Sequence, residues 1–157
     1  MYFQDFKVNY SLISKLVCSH YRLGNKAYKE NNKFLIIVYK LAKVFVKLYS
    51  SADIHPKAQI GKNLRLEHDA NGIVIHSTAK IGDNARIFQQ STIGIKTDDS
   101  NAPVIGDNVM IGSGAKILGD IKIGDNVKIG ANSVVNKNVA SDNVVVGIPG
   151  NTISKTS

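Results

Sequence analysis

The sequence predicts a mainly β protein: a left-handed parallel β-helix, built as a hexapeptide solenoid and preceded by a short α-helical N-terminal segment. Three observations carry this expectation. Large apolar residues recur every six positions, at Ile54, Ile60 and Leu66, then Ile75, Ile81, Ile87 and Ile93, then Ile105, Ile111, Ile117, Ile123, Ile129 and Val135. Four residues after many of them stands a second small or apolar residue: Ala58, Leu64, Ala79, Ala85, Val109, Ala115, Ile121, Val127 and Val139. A glycine commonly follows the beat residue, as in "IGKN", "IGDN", "IGSG" and "IGAN".

A period of six matches neither the 3.6 of a helix nor the 2 of an alternating strand. Short strands joined by tight turns do match it, because each side of the coil then contributes one large residue to a continuous stacked core. Three such sides make one triangular coil. The Gly and Asn corner residues suit backbone turns with positive φ. Residues 54 to 139 would give about five coils, each rising about 4.8 Å, the spacing of neighbouring strands. The left-handed crossover departs from the usual rule for parallel strands, and the repeat overrules it.

The first fifty residues read differently. Lys7, Lys15, Arg22, Lys26, Lys29, Lys33, Lys40, Lys43 and Lys47 face only Asp5 and Glu30 there, a net +7 of the chain's +8, and Gly24 is the sole glycine before residue 50. These shifts place a boundary near Ser50 and Ser51, giving a basic helical segment at 1–50, a β-helix domain at 51–150 and a tail at 151–157. From Asn31 to Ser50, Lys33, Lys40, Lys43 and Lys47 share one helical face, with Leu35, Val38, Leu41, Phe45 and Leu48 opposite. That pattern is an amphipathic helix over 33–49, with an earlier helix expected near 9–23. Covering the open first coil is the expected role of this segment, since solenoid ends need caps. Peripheral contact of the basic helix with an anionic membrane is the alternative.

One cysteine, Cys18, excludes an intrachain disulfide and fits a reducing compartment. The start "MYFQDFKVNYSLISK" carries no signal-peptide pattern, so a cytoplasmic location is expected, with the inner face of the membrane as its extension. The basic half contains no nucleic-acid-binding motif, and a nucleic-acid partner is not expected.

The beat stumbles once in an informative place. Leu66 and Ile75 are nine apart, and "EHDANGIV" contains a histidine between two acids. Flat solenoid walls form no pocket, so an excursion here is one way to make a site.

In order and spacing, "ADIHPKAQIG", "RLEHDANGIVI", "AKIGDNARIFQQSTIG", "VIGDNVMIGSGAKILGDIKIGDNVKIGANSVV" and "VVVGIPG" resemble the catalytic domain of serine O-acetyltransferases and their hexapeptide acyltransferase relatives, over about residues 52 to 150. The resemblance implies a homotrimer that takes acetyl from acetyl-CoA, with no metal. It also implies that His68 is the catalytic base, that Asp53 orients it, and that Glu67 lines the acceptor site. Neutral imidazole suits the removal of a hydroxyl proton at cellular pH, and a carboxylate on its far nitrogen would fix the tautomer. The spacing of Asp53 and His68 does not itself bring them together. His55, His20 and His76 are read as structural or surface residues.

For CoA, the resemblance implies a groove between subunits where Gly94, Gly112, Ser113, Gly130 and Ala131 leave room for the pantetheine arm and Pro149 flanks the adenine end. Each of these glycines has a plain alternative as a solenoid corner. In "GIKTDDSNAPVIG", Asn101 and Ala102 stand where serine acetyltransferases carry an arginine and a histidine that help bind the amino acid. Asparagine cannot replace a bidentate guanidinium clamp on a carboxylate. That departure, and a basic helical front resembling exopolysaccharide O-acetyltransferases of the colanic acid type, point to a hydroxyl acceptor on a saccharide of a capsule, exopolysaccharide or lipopolysaccharide pathway. L-serine acetylation is the alternative, and a non-catalytic hexapeptide scaffold the second alternative.

Overall fold

A computed structural model describes residues 2–98 and 101–153. Three helices lead into the solenoid: α1 (Tyr2–Val8), α2 (Leu12–Lys29) and α3 (Lys33–Ser50). Fifteen short strands follow, and all but the last lie in the three walls of a triangular parallel coil. Face one holds Asp53–Ile54, Val74–Ile75, Thr92–Gly94, Lys116–Leu118 and Val134–Val135. Face two holds Gln59–Ile60, Lys80–Ile81, Val104–Ile105 and Lys122–Ile123. Face three holds Arg65–Leu66, Arg86–Ile87, Met110–Ile111, Lys128–Ile129 and Val144–Val146, closed by the antiparallel strand Asn151–Ile153. The tail expected at 151–157 is thus strand up to Ile153, and 154–157 lie outside the described residues.

Five strands on face one bound about four complete turns, one fewer than the repeat count predicted. Two turns are longer than the ideal eighteen residues. Asp53 pairs with Val74 and Thr92 with Lys116, so one turn gains residues at His68 and another in the segment after Gly94. Every beat residue is buried, with Ile87, Ile93, Ile111, Ile117 and Ile129 fully so, and the second small residue of each side fills the corner beside it. Burying one such isoleucine is worth about 1.5–3 kcal/mol.

The corner between faces two and three explains the "GDN" motif. Asn63, Asn84, Asn108 and Asn126 adopt positive φ, and their side chains hydrogen-bond one to the next up the stack. Asp83, Asp107 and Asp125 each accept from a backbone N–H one coil below, at 2.7 Å. The glycine of the motif serves close approach rather than positive φ: a Cβ at Gly82 would sit 2.7 Å from the Gly106 carbonyl.

Helix α2 is the cap. Val17, Cys18 and Tyr21 join the solenoid core, Tyr21 donates to Ala58 O, and Asn25 donates to Pro56 O and Ala58 O. Burial pushes the Cys18 thiol up, as expected of a packing residue, and raises Tyr21 to about 12. Gly24 lets Tyr39 of α3 pack against α2, since a Cβ there would lie 2.5 Å from its ring. Helix α3 therefore rides outside α2. Its apolar residues Phe34, Leu41, Phe45 and Leu48 are exposed, while Lys43 and Lys47 reach the solenoid. None of the described helices is long and apolar enough to cross a membrane.

Candidate functional site

The nine-residue step from Leu66 to Ile75 folds as a left-handed turn. His68, Asp69 and Ala70 have φ of 49°, 61° and 56°, three consecutive non-glycine residues in a region that L-residues seldom occupy. Such backbone costs on the order of 1 kcal/mol or more per residue and persists only where surroundings hold it. Here Ala70 is buried in the core, Gly72 N–H bonds Ser50 O at 2.9 Å, and the Ser11 hydroxyl donates to Asp69. Ser11 is also the N-cap of α2, accepting from Ile13 N and Ser14 N. The turn is thus pinned from below by the helical segment, and it lifts His68 out of the wall at the edge between faces three and one.

The His68 ring lies 6.1 Å from that of Phe88, on the coil above. Beside them, Glu67 accepts from Arg86 Nε at 2.7 Å, and Arg65 Nε lies at the same distance from the same oxygen, poorly aligned for a hydrogen bond. The Arg86 guanidinium carbon lies 4.8 Å from the centre of the Phe88 ring, and that of Arg65 4.6 Å from the centre of the Tyr10 ring. Neither arginine was singled out in the sequence. The signal was there only as two basic residues preceding Leu66 and Ile87, and their meeting depends on coil register.

Asp53 does not join this group. Its carboxylate is taken by Lys43 at 3.0 Å and Lys47 at 3.3 Å, and no hydrogen bond links it to His68 within the chain. Partial burial would raise the Asp53 carboxyl, but Lys43 and then Lys47 outweigh it and hold the carboxyl below its usual range. Lys43 and Lys47 of α3, seven and three residues from Ser50, thus hold the carboxylate expected to orient His68. His55 follows on the same strand edge, pushed down by burial and then by Lys43. His76 accepts at Nδ1 from Thr78 N–H at 3.3 Å, and His20 stacks on Tyr39 at 4.4 Å in the α2–α3 packing.

The residues expected at the CoA groove divide between two edges. Gly112, Ser113, Gly130 and Ala131 climb the same edge as Glu67 and Phe88, through the ladder Phe88 N to Ile111 O, Gly112 N to Ile129 O and Gly130 N to Val145 O. Pro149 lies near the top of that edge, where Gly150 N bonds Val134 O. Gly94 ends face one and borders the opposite edge, with Asn101 and Ala102 beyond it. Ala102 is buried, and its N–H bonds Thr78 Oγ1 at 2.9 Å, so it presents no side chain to a ligand. Gly112 has a structural reason of its own: a Cβ there would lie 2.6 Å from Ala131 N. Gly94 has none of that kind, because its Cβ would meet only Leu118 and Thr92 at ordinary contact distance.

Comparison with known proteins agrees with this architecture. Residues 102–137 match the family model "Bacterial transferase hexapeptide (six repeats)". A serine acetyltransferase of Staphylococcus aureus is 44% identical over 131 residues, covering 82% of this chain and 61% of that protein. The chain therefore spans about three-fifths of the length of such curated relatives. The crystal structure of Neisseria gonorrhoeae serine acetyltransferase superposes with a TM-score of 0.78 at 36% identity, covering 92% of this chain and 54% of that one. Serine acetyltransferase from Brucella abortus, in complex with coenzyme A, superposes with a TM-score of 0.79 at 35% identity, over 90% of this chain and 56% of the other.

Proposed function

We propose that the chain is a hexapeptide-repeat acyltransferase of the serine O-acetyltransferase-like branch, and that it transfers an acetyl group from acetyl-CoA to an acceptor hydroxyl. The observation that carries this is the pinned left-handed turn that sets His68 beside Phe88, below a small-residue edge of Gly112, Ser113, Gly130 and Ala131. His68 removes the acceptor's hydroxyl proton as its oxygen attacks the thioester carbonyl. The tetrahedral adduct collapses by breaking the C–S bond, and the imidazolium returns the proton to the departing thiolate. A backbone N–H of the coil edge is suited to receive the oxyanion.

The division of the expected residues between two edges supports the homotrimer reading, with the site formed between neighbouring chains. The expected residues occupy two edges bounding face one, and those edges of a single triangular coil face apart. One chain's His68 edge and its neighbour's Gly94–Ala102 edge would complete one groove. In the same assembly Asp53 serves the site as a carboxylate anchored by Lys43 and Lys47 rather than as the in-chain partner of His68.

For the acceptor, the relatives' name makes L-serine the leading reading, ahead of the saccharide expected from sequence. Asn101 and the buried Ala102 favour the saccharide as a second reading, since neither offers the charged clamp that an amino acid would use there. Release of free CoA thiol from acetyl-CoA, with L-serine and with a panel of saccharides, tests both. Turnover lost in His68→Ala supports the base assignment, and the responding acceptor decides between them. Failure of the protein to bind CoA would move it to the non-catalytic scaffold class.

A further inference from the structure

Beside His68, on the outer surface of face three, two arginines share one carboxylate. Glu67 is the common partner of Arg65 and Arg86, and it is well covered, with 14% of its side chain exposed. The nearby Asp69 carboxylate is occupied by Ser11. Each guanidinium faces Glu67 through Nε and lies over an aromatic ring, Arg65 over Tyr10 and Arg86 over Phe88. A cation over a ring face gains a favourable contact that helps hold each guanidinium in place. Among the described residues, no protein acceptor takes the terminal nitrogens of either one. Arg86 keeps 41% of its side chain exposed, and the Phe88 ring that carries it is the ring against His68.

Two guanidiniums on one shared carboxylate stand beside a candidate base. Arg86 and His68 both border the Phe88 ring, so an anion held by the free edge of Arg86 would sit on the same side of the coil as the imidazole. Carboxylate is the chemistry that a guanidinium edge matches with two parallel N–H donors. We propose that Arg65 and Arg86 select an acceptor that bears a carboxylate close to the hydroxyl to be acetylated, with Arg86 making the contact and Arg65 holding Glu67 so that Arg86 stays in place. This rests on the acyltransferase reading and gives the clamp missing at Asn101 and Ala102 a different origin. An α-carboxylate of an amino acid and the carboxylate of a uronic acid sugar share this chemistry.

The test pairs acceptors that differ in that group: L-serine against serinol, and methyl galacturonide against methyl galactoside. Thiol release from acetyl-CoA is followed for wild type, Arg86→Gln and Arg65→Gln. The expected result is a wild-type preference for the acid of one pair on the order of tenfold, lost in Arg86→Gln through the acceptor KM and not through the KM for acetyl-CoA. The pair that responds identifies the source of the carboxylate. A preference that survives in both variants, or a wild type that favours the neutral member, overturns the proposal. Calorimetric titration of L-serine and of methyl galacturonide onto the protein without donor separates the two readings. Carboxylate binding that Arg86→Gln abolishes supports the proposal even where no acetyl is transferred. Carboxylate binding absent from wild type overturns it, and CoA binding then still bears on the acyltransferase reading alone.

Discussion

Arg22 of α2 donates from Nε to Oδ2 of Asp5 at 2.6 Å, with both side chains almost wholly buried beneath the first coil. The pair is completed on every side. Arg22 also donates to Ile60 O at 2.6 Å and to Gly61 O, while Asp5 accepts from Leu64 N at 2.9 Å. Backbone groups that the open end of the solenoid would leave unpaired are thereby satisfied, which is the polar half of capping.

Breaking this pair from one side leaves a buried charge. Arg22→Met is expected to lower stability by about 3–5 kcal/mol, read as a shift in the urea midpoint. A double variant replacing Asp5 and Arg22 together with apolar residues should recover much of that loss. Equal losses in single and double variants would show that the pair itself is not what matters.

Ser11 joins the cap of α2 to the turn of His68. Ser11→Ala is expected to cost about 1 kcal/mol for the lost N-cap. If the turn positions the base, kcat should fall further than that modest loss explains, while Ser11→Thr, which keeps the hydroxyl, should restore it. A kcat unchanged in Ser11→Ala would detach the turn from catalysis.

Glycine roles separate cleanly at two positions. Gly82→Ala places a methyl 2.7 Å from the Gly106 backbone and should cost about 1–3 kcal/mol by overpacking. Gly94→Ala meets nothing closer than 3.6 Å, so the fold should tolerate it. A rise in the KM for acetyl-CoA in Gly94→Ala, with the melting temperature unchanged, would place that glycine at the donor.

Acid should loosen the α2–α3 contact. Burial lowers the pKa of His20 below 6.5, against the opposing hydrogen bond with Tyr39 O. A group whose folded pKa is depressed contributes stability above its unfolded pKa and loses it as pH falls through the folded value. Stability is therefore expected to decline below pH 6.5, and His20→Gln should flatten that slope in urea titrations across pH 7 to 5. An unchanged slope would assign the titration elsewhere, with His55 the next group to examine.

The sequence by itself determined the solenoid, because a six-residue period fixes which side chains point inward whatever their neighbours are. Ile54 through Val135 and the corner asparagines were legible for that reason, and so was the excursion at His68. The second helix was legible in outline, while α1 was missed: seven residues with little periodicity become a helix where Asp5 and Asn9 reach α2 and Leu64. Outward-facing partners had no such rule. Arg65, Glu67 and Arg86 meet because a turn three residues longer than the ideal sets one coil's register on the next, and Asp53 meets Lys43 and Lys47 because α3 packs outside α2. Stacking offset and helix docking are properties of the assembled chain, so the shape of the core could be read along the sequence and the company kept by His68 and Asp53 only in three dimensions.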